Sequence, residues 1–262
     1  MKKTILLAAT LLLGWQGAAV AGNDEGLLRD WFEPYAPMYF SAGIPLSEAT
    51  TAETTDVKFR LSFRKTLWSS GAVQFYGTYT QTSIWDLFAD SSPFYDNWYN
   101  PALHFSWTLP ASGTVLRAGL EHKSNGRDGD LSRSTNNLYA QYIRSWSSLS
   151  LQAKVWYGFG YLGDDVYDVM KLFGFCSFSA IYSSPNDIFS AALSVTPTDG
   201  FRRADLALEM YCRLGRSSGA PCLFVECTCG RDAMRDFIPD LANGSAMLRL
   251  GICFKPQRFF CF

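Results

Sequence analysis

Two side chains suited to acyl-transfer chemistry, His122 and Ser124, stand at the end of the segment TVLRAGLEHKS (114–124). The even positions from 116 to 120 are apolar, and the charged side chains occupy odd positions. Such alternation predicts a β-strand, in which alternate side chains share a face. His122 and Ser124 are therefore expected on the apolar face, about 7 Å apart along the strand, where they could act as base and nucleophile.

A third polar residue, Asn136, opens the next alternating segment on the same apolar parity. An antiparallel hairpin would bring it beside the end of the preceding strand. Its amide oxygen could accept a hydrogen bond from the imidazole of His122 and fix the tautomer, which gives a Ser-His-Asn triad. Alternatively, these residues are polar groups at a membrane surface. His104, the other histidine, falls on a polar parity and is expected inside the fold.

The same alternation recurs along the chain, for example in VKFRLSFRKT (57–66) and LQAKVWYGF (151–159). Further strands are predicted near 36–43, 71–81, 101–109, 137–147, 171–182, 187–196, 202–212, 221–228 and 244–254. Tight turns alternate with mostly longer loops, at 46–56, 83–100, 125–136, 160–170 and 230–243. This pattern predicts an all-β fold, a transmembrane antiparallel β-barrel of about 12 strands whose apolar face meets lipid. His122 and Ser124 would then face the membrane.

The N-terminal segment predicts export. Lys2 and Lys3, an apolar stretch and the sequence Ala19-Val20-Ala21 indicate a signal peptide over residues 1–21. A membrane anchor is the alternative, but the apolar stretch 5–13 is shorter than the roughly 20 residues needed to span a bilayer. Residues 22–262 are then one barrel domain. A non-catalytic barrel (a narrow porin or adhesin) and a soluble β-sandwich binding module are the rival interpretations.

Composition limits the choice of partners. The formal net charge of −1 offers no basic surface for nucleic acid, so no nucleic-acid partner is expected. The seven cysteines all lie at or beyond Cys176, and an odd number cannot all pair within one chain. A disulfide of Cys222 with Cys227 or Cys229 is one interpretation, and small apolar core residues are the other.

The segment HKSNGRDGDLSRSTNNLY (122–139) resembles the signature of the outer membrane phospholipase A family, His-x-Ser-Asn-Gly-Arg followed by Ser-Arg-Ser-x-Asn-x-Leu-Tyr. YTQTSIWDLFADSSPFYDNWYNP (79–101) is similar to the family as well. The resemblance covers about residues 55–175 and fades at VECTCGRDAMRDF (225–237). It implies a calcium-dependent phospholipase (A1/A2 and lysophospholipase type) in the bacterial outer membrane, facing the outer leaflet and active as a homodimer.

The resemblance also implies roles for individual residues. Ser124 would be the nucleophile, His122 the general base and Asn136 the group that orients it, with the oxyanion met by the Gly126 amide and by water on a bound Ca²⁺. Oxygen ligands suit this cation. The implied calcium ligands are the Ser132 hydroxyl, the Arg127 carbonyl and the Ser91 carbonyl of a second subunit. Gln81 is the implied dimer-interface residue.

One position departs from the family pattern. The family has an Asp of a second, weaker calcium site where this chain has Gly129. Asp128 and Asp130 flank that position, and Asp164 and Asp165 could supply the far side.

Overall fold

The computed structural model of the chain describes residues 32–129, 132–162, 173–217, 219–230 and 246–256. Its strands are β1 (Glu33–Pro34), β2 (Met38–Pro45), β3 (Asp56–Ser70), β4 (Val73–Trp85), β5 (Phe94–Leu109), β6 (Thr114–Ser124), β7 (Ser134–Ser145), β8 (Leu149–Leu162), β9 (Cys176–Ser183), β10 (Phe189–Thr198), β11 (Arg203–Arg213), β12 (Cys222–Cys229) and β13 (Met247–Phe254). Short 3-10 turns occupy Pro110–Ser112 and Asp199–Phe201. No helix in these ranges is long and apolar enough to span a membrane.

Strands β2 to β13 form a closed barrel. Each pairs antiparallel with the next strand along the chain, and β13 pairs with β2, which closes the circle. The predicted twelve-stranded antiparallel barrel is therefore confirmed. The chain divides into two compact units, Met1–Glu33 and Pro34–Phe262, and these twelve strands lie in the second. The predicted signal peptide, 1–21, lies outside the described residues.

The outer wall of the barrel is apolar, because alternate side chains of each strand point outward. Leu103, Leu120, Leu138 and Tyr157 are between 47% and 71% exposed, although each is a large apolar or aromatic side chain. Such a belt around a closed barrel is the arrangement of outer-membrane proteins, in which lipid covers these side chains.

The interior contains buried charges that are paired with one another. Arg249 is fully buried and binds Asp56 through two nitrogens, at 3.0 and 2.8 Å, and Glu226 through a third. Buried charges are tolerated when they are paired and hydrogen-bonded in this way. His104 is 1% exposed and lies inside the wall with Nε2 2.8 Å from the Thr78 hydroxyl, as its parity predicted.

The predicted loop over 83–100 is shorter in the structure than the sequence indicated. The sequence predicted a loop over 83–100, whereas β4 runs to Trp85 and β5 begins at Phe94. Polar residues in this stretch indicated a loop, but some of their side chains form hydrogen bonds within the barrel. Asp96, for example, is buried and accepts a hydrogen bond from the Trp98 indole at 3.1 Å, and Asn97 accepts one from Ser83 at 2.6 Å.

The suggested disulfides of Cys222 are wrong. Cys227 lies on the same strand, β12, five residues away, which is about 16 Å by strand rise and far beyond a disulfide's reach. The six cysteines in the described ranges are all free thiols. Cys222 and Cys253 are almost fully buried with aromatic residues in the interior, which agrees with their interpretation as small core residues.

Candidate active site

The candidate site lies where the end of β6 is beside the start of β7. Their register places His122 opposite Asn136, and Ser124 opposite Ser134. Leu120 and Leu138, two positions earlier and later on the same face, are about half exposed on the outer wall. The three predicted catalytic residues therefore share the outward side of the hairpin, as parity predicted.

The histidine and the asparagine are in direct contact. Nδ1 of His122 lies 2.9 Å from Oδ1 of Asn136. An amide oxygen can only accept a hydrogen bond, so this contact requires a proton on Nδ1, and in the neutral imidazole Nε2 then has the free lone pair. In this tautomer His122 can take a proton from a nearby hydroxyl.

Ser124 is the last residue of β6 and is half-buried on the same face. Its neighbours across the sheet are Tyr99 on β5 and Ser134 on β7. Within the described ranges its hydroxyl has no hydrogen-bond partner, so Ser124 and His122 are adjacent on one face without being bonded. Catalytic hydrogen bonds are often long before substrate binds, so this geometry is compatible with a nucleophile.

The backbone of His122 is held in an unusual way. The β5–β6 ladder pairs Ala102 with Glu121 and Tyr99 with Ser124 but skips the positions between. Pro101 stands there, and a proline has no N–H to donate. The side chain of Asn100 supplies the missing donor, because its Nδ2 lies 2.8 Å from the His122 carbonyl oxygen.

Asn100 reaches His122 from the inside of the barrel. It lines an interior cavity of about 430 Å³, together with Arg60, Thr80, Thr82, Trp98, Glu121, Lys123, Asn137 and Lys154 among others. The three outward-facing residues, His122, Ser124 and Asn136, do not line that cavity. A substrate of these three residues would therefore approach from the outer wall.

Asn125 fixes the loop that follows Ser124. It is 4% exposed, and its side-chain oxygen accepts hydrogen bonds from the backbone N–H groups of Arg127, at 3.3 Å, and Arg133, at 2.9 Å. Its own N–H donates to the Arg133 carbonyl at 3.0 Å. One side chain thus ties the two ends of the loop together.

Gly126, the predicted oxyanion donor, can only be a glycine in this conformation. Its φ is +66°, and a Cβ would lie 2.6 Å from the ring of Tyr99. A backbone without a side chain at this point brings its amide close to the neighbouring strand.

The predicted calcium ligands are oxygen donors on this loop and one further turn. The guanidinium of Arg127 donates to the Tyr95 carbonyl and lies 3.6 Å from the Asp96 carboxylate, which anchors the residue whose carbonyl is the proposed ligand. The N–H of Ser132 donates to the Gly129 carbonyl at 2.9 Å. These donors suit calcium in type.

The other residues predicted to bind metal do not lie together within the described part of one chain. Ser91 lies in the β4–β5 turn with a φ of +66°, and among the described residues no hydrogen bond joins it to Arg127 or Ser132. Asp128 is exposed, and its carboxylate accepts the Gly129 N–H at 2.7 Å. Asp165 lies outside the described residues. Across the part of the chain that is described, no three His, Cys, Asp or Glu side chains cluster as a cation site.

Gln81 lies on the outer wall, two strands from Ser124. Its cross-strand neighbour on β5 is Tyr99, which in turn faces Ser124 on β6. The Gln81 amide donates to Ser83 at 3.2 Å and accepts from the Tyr79 hydroxyl at 3.2 Å. A polar ladder therefore crosses an otherwise apolar surface close to the candidate site.

Asn100 and Asn125 were missed by sequence reasoning. An asparagine before a proline inside an alternating segment is a signal that could have identified Asn100, because a proline leaves a neighbouring carbonyl without its donor. No comparable signal pointed to Asn125, whose contacts depend on the loop conformation.

Comparison with known proteins now adds to this geometry. The phospholipase A1 family model matches residues 40–217. Phospholipase A1 of Klebsiella pneumoniae and of Escherichia coli K12 are each 33% identical over 171 residues, which is 62% of this chain and 59% of the relative. The matched segment thus spans less than two thirds of these relatives' length.

Solved structures show the same fold. Outer membrane phospholipase A from Escherichia coli superposes with a TM-score of 0.72 at 21% identity, over 91% of this chain and 95% of that one. The Salmonella typhi outer membrane phospholipase, crystallised as a dimer with bound calcium, gives 0.74 at 21% identity, over 89% and 95%. Since the family model covers well over half of the sequence, the chain belongs to the phospholipase A1 family.

Proposed function

We propose that this protein is a calcium-dependent phospholipase of the bacterial outer membrane that hydrolyses acyl ester bonds by a Ser-His-Asn triad and is activated by dimerisation. The observation that carries the proposal is the His122–Asn136 hydrogen bond of 2.9 Å, two positions from Ser124 on the lipid-facing wall. Membership of the phospholipase A1 family supports the same reaction class. Its substrates would be the A1 and A2 esters of phospholipids and those of lysophospholipids.

The reaction begins with proton transfer. Nε2 of His122 takes the proton of the Ser124 hydroxyl as its oxygen attacks the acyl carbonyl. The tetrahedral intermediate collapses, and His122 returns the proton to the departing lysophospholipid oxygen. Water, deprotonated by the same nitrogen, then releases the fatty acid from Ser124. Throughout, the Asn136 oxygen holds the Nδ1 proton in place.

The negative charge of the tetrahedral intermediate needs a hydrogen-bond donor to stabilise it. The Gly126 amide is the proposed one, on a loop that Asn125 holds closed. The Ser132 hydroxyl and Arg127 carbonyl fit a calcium ion by donor type, and the Ser91 carbonyl of a second copy would add a third oxygen. When bound, the ion would supply positive charge close to the developing oxyanion.

The position of the site agrees with a lipid substrate. The residues around the triad on the same face, Leu120, Leu138, Tyr157 and Phe159, are exposed and apolar. A phospholipid whose chains lie along this wall would present its ester near the strand ends, where Ser124 is located. We propose that this end of the barrel, which carries the longer loops, faces the outer leaflet.

Hydrolysis by the purified protein tests this function. Incubated with phosphatidylcholine in detergent micelles and Ca²⁺, the protein is expected to release fatty acid and lysophospholipid in proportion to its concentration. A non-catalytic barrel would release none at any protein concentration, and that result would reject the proposal in favour of a porin or adhesin.

Dimerisation is the proposed control, and Gln81 is the residue that tests it. The Gln81 amide is hydrogen-bonded to Tyr79 and Ser83 on its own strand, and a second copy could accept its second N–H, which is costly to leave in lipid without a partner. Gln81→Ala is expected to weaken association by about 0.6 kcal/mol, the average for hydrogen bonds between membrane segments. The dimer should then dissociate at higher protein concentrations, so activity per mole should fall at a lower dilution than in the wild type. Covalent cross-linking should restore it.

Leu193→Ala is the matched control for this measurement. Leu193 is 47% exposed on the outer wall of β10, six strands around the barrel from Gln81. Its replacement should leave the dilution profile unchanged. If sedimentation shows only monomer while the activity per mole stays constant, dimerisation is not the switch.

A further inference from the structure

The strand beside the triad contains an irregularity at Gly160. In the β7–β8 ladder Ser134 pairs with Leu162, whereas Asn136 pairs with Phe159. One residue of β7, Thr135, therefore faces two residues of β8, and this is the definition of a β-bulge. Gly160 is the first of the two and has a φ of +64°, the left-handed conformation found in one common class of bulge.

The space above Gly160 is occupied by the side chain of Asn136. A Cβ on Gly160 would lie 2.8 Å from the Asn136 Nδ2, which is too close for two atoms that are not bonded. The other end of the same amide accepts the His122 Nδ1 proton at 2.9 Å. The amide of Asn136 is thus held between Gly160 and His122.

We propose that Gly160 is a positioning residue that sets the orientation of the Asn136 amide and, through it, the tautomer of His122. The bulge bends β8 at this point, and the missing side chain leaves room for the amide NH₂. With a methyl group there, the NH₂ must move, and Oδ1 is carried away from Nδ1. The catalytic role in this inference rests on the proposed function, but the contact between Gly160 and Asn136 does not.

Other glycines separate this role from backbone strain. Gly71 has a φ of +56°, with nothing within 4 Å of its Cβ position. It lies in the β3–β4 turn, at the opposite end of the barrel from the triad. Replacing Gly71 by Ala therefore imposes a similar left-handed backbone on an alanine, without a clash and without a catalytic neighbour.

The test is a double-mutant cycle on fatty-acid release. Gly160→Ala is expected to lower kcat about tenfold, as loss of an orienting contact commonly does, with little change in KM. In an Asn136→Ala background, in which the clashing amide is absent, the same replacement should lower kcat by less than about twofold. Gly71→Ala should leave kcat unchanged. Equal losses from Gly160→Ala in both backgrounds would overturn the inference, because they would show that Gly160 does not act through Asn136.

A second measurement does not require activity. The imidazole ¹⁵N spectrum of the labelled protein reports the tautomer, and a His122→Asn variant identifies the signals of His122 among those of the two histidines. We expect one tautomer, protonated at Nδ1, in the wild type and a mixture of tautomers in Gly160→Ala. Unchanged His122 signals in that variant would contradict the proposal even if the wild type proved inactive on phospholipid, whereas the expected change in an inactive protein would reject the catalytic function alone.

Discussion

Replacing Ser124 by Ala is expected to lower fatty-acid release by at least about 10⁴-fold, because the covalent route through the acyl-enzyme is lost. His122→Ala should cause a loss of the same order, since nucleophile and base act as one unit. Both side chains point out of the wall, so the barrel should keep its far-UV circular dichroism. Asn136→Ala should lower fatty-acid release less, because it removes an orienting group and no reacting atom.

Ser134 provides the matched control. It lies directly opposite Ser124 on the same face of the hairpin and carries the same hydroxyl group. Ser134→Ala is expected to retain near-wild-type kcat. A Ser124→Ala variant that kept normal turnover would show that Ser124 is not the nucleophile and that the triad is wrong.

Removing calcium is expected to lower the rate by about 10²-fold or more, the usual cost of losing oxyanion stabilisation. Calcium restored after treatment with a chelator should recover activity, whereas Mg²⁺ at the same concentration should recover little of it. Mg²⁺ requires a near-ideal octahedral shell and gives up its water reluctantly, and the proposed site, which two chains would share, is poorly suited to that.

The proposed ligands, the Ser132 hydroxyl and the Arg127 and Ser91 carbonyls, are neutral oxygen atoms. Neutral carbonyl and hydroxyl ligands bind calcium weakly, so activity should require high calcium concentrations and fall further in Ser132→Ala. Full activity in excess chelator would reject the metal role of Ser132 and Arg127.

The fold could be predicted because its strongest determinant is local. Alternation of apolar and polar residues defines two faces for every strand, and a barrel in lipid requires the apolar one outside. Tertiary contacts that satisfy polar groups are invisible in such a pattern. Asp96 and Asn97 therefore indicated a loop, although Trp98 and Ser83 provide their partners within β5 and β4.

The core of the site followed from parity and the hairpin, which place His122 opposite Asn136. The groups that support it could not be found in this way. Asn100 was predicted to lie in a loop, and Gly160 contacts Asn136 only because a bulge shifts the register. The bulge lies near the end of β8, and only two residues of the strand follow Gly160, too few to show a change in the phase of the alternation.

Covalent labelling tests the central claim, that Ser124 is the nucleophile, most directly. An alkyl fluorophosphonate, which reacts with activated serine hydroxyls, is added to the protein in micelles with Ca²⁺, and the modified peptide is identified by mass spectrometry. One adduct per chain is expected, on Ser124, with loss of hydrolysis in proportion to labelling and much slower labelling of His122→Ala. Complete inactivation with the adduct on another residue, or hydrolysis that persists in fully labelled protein, would contradict the account.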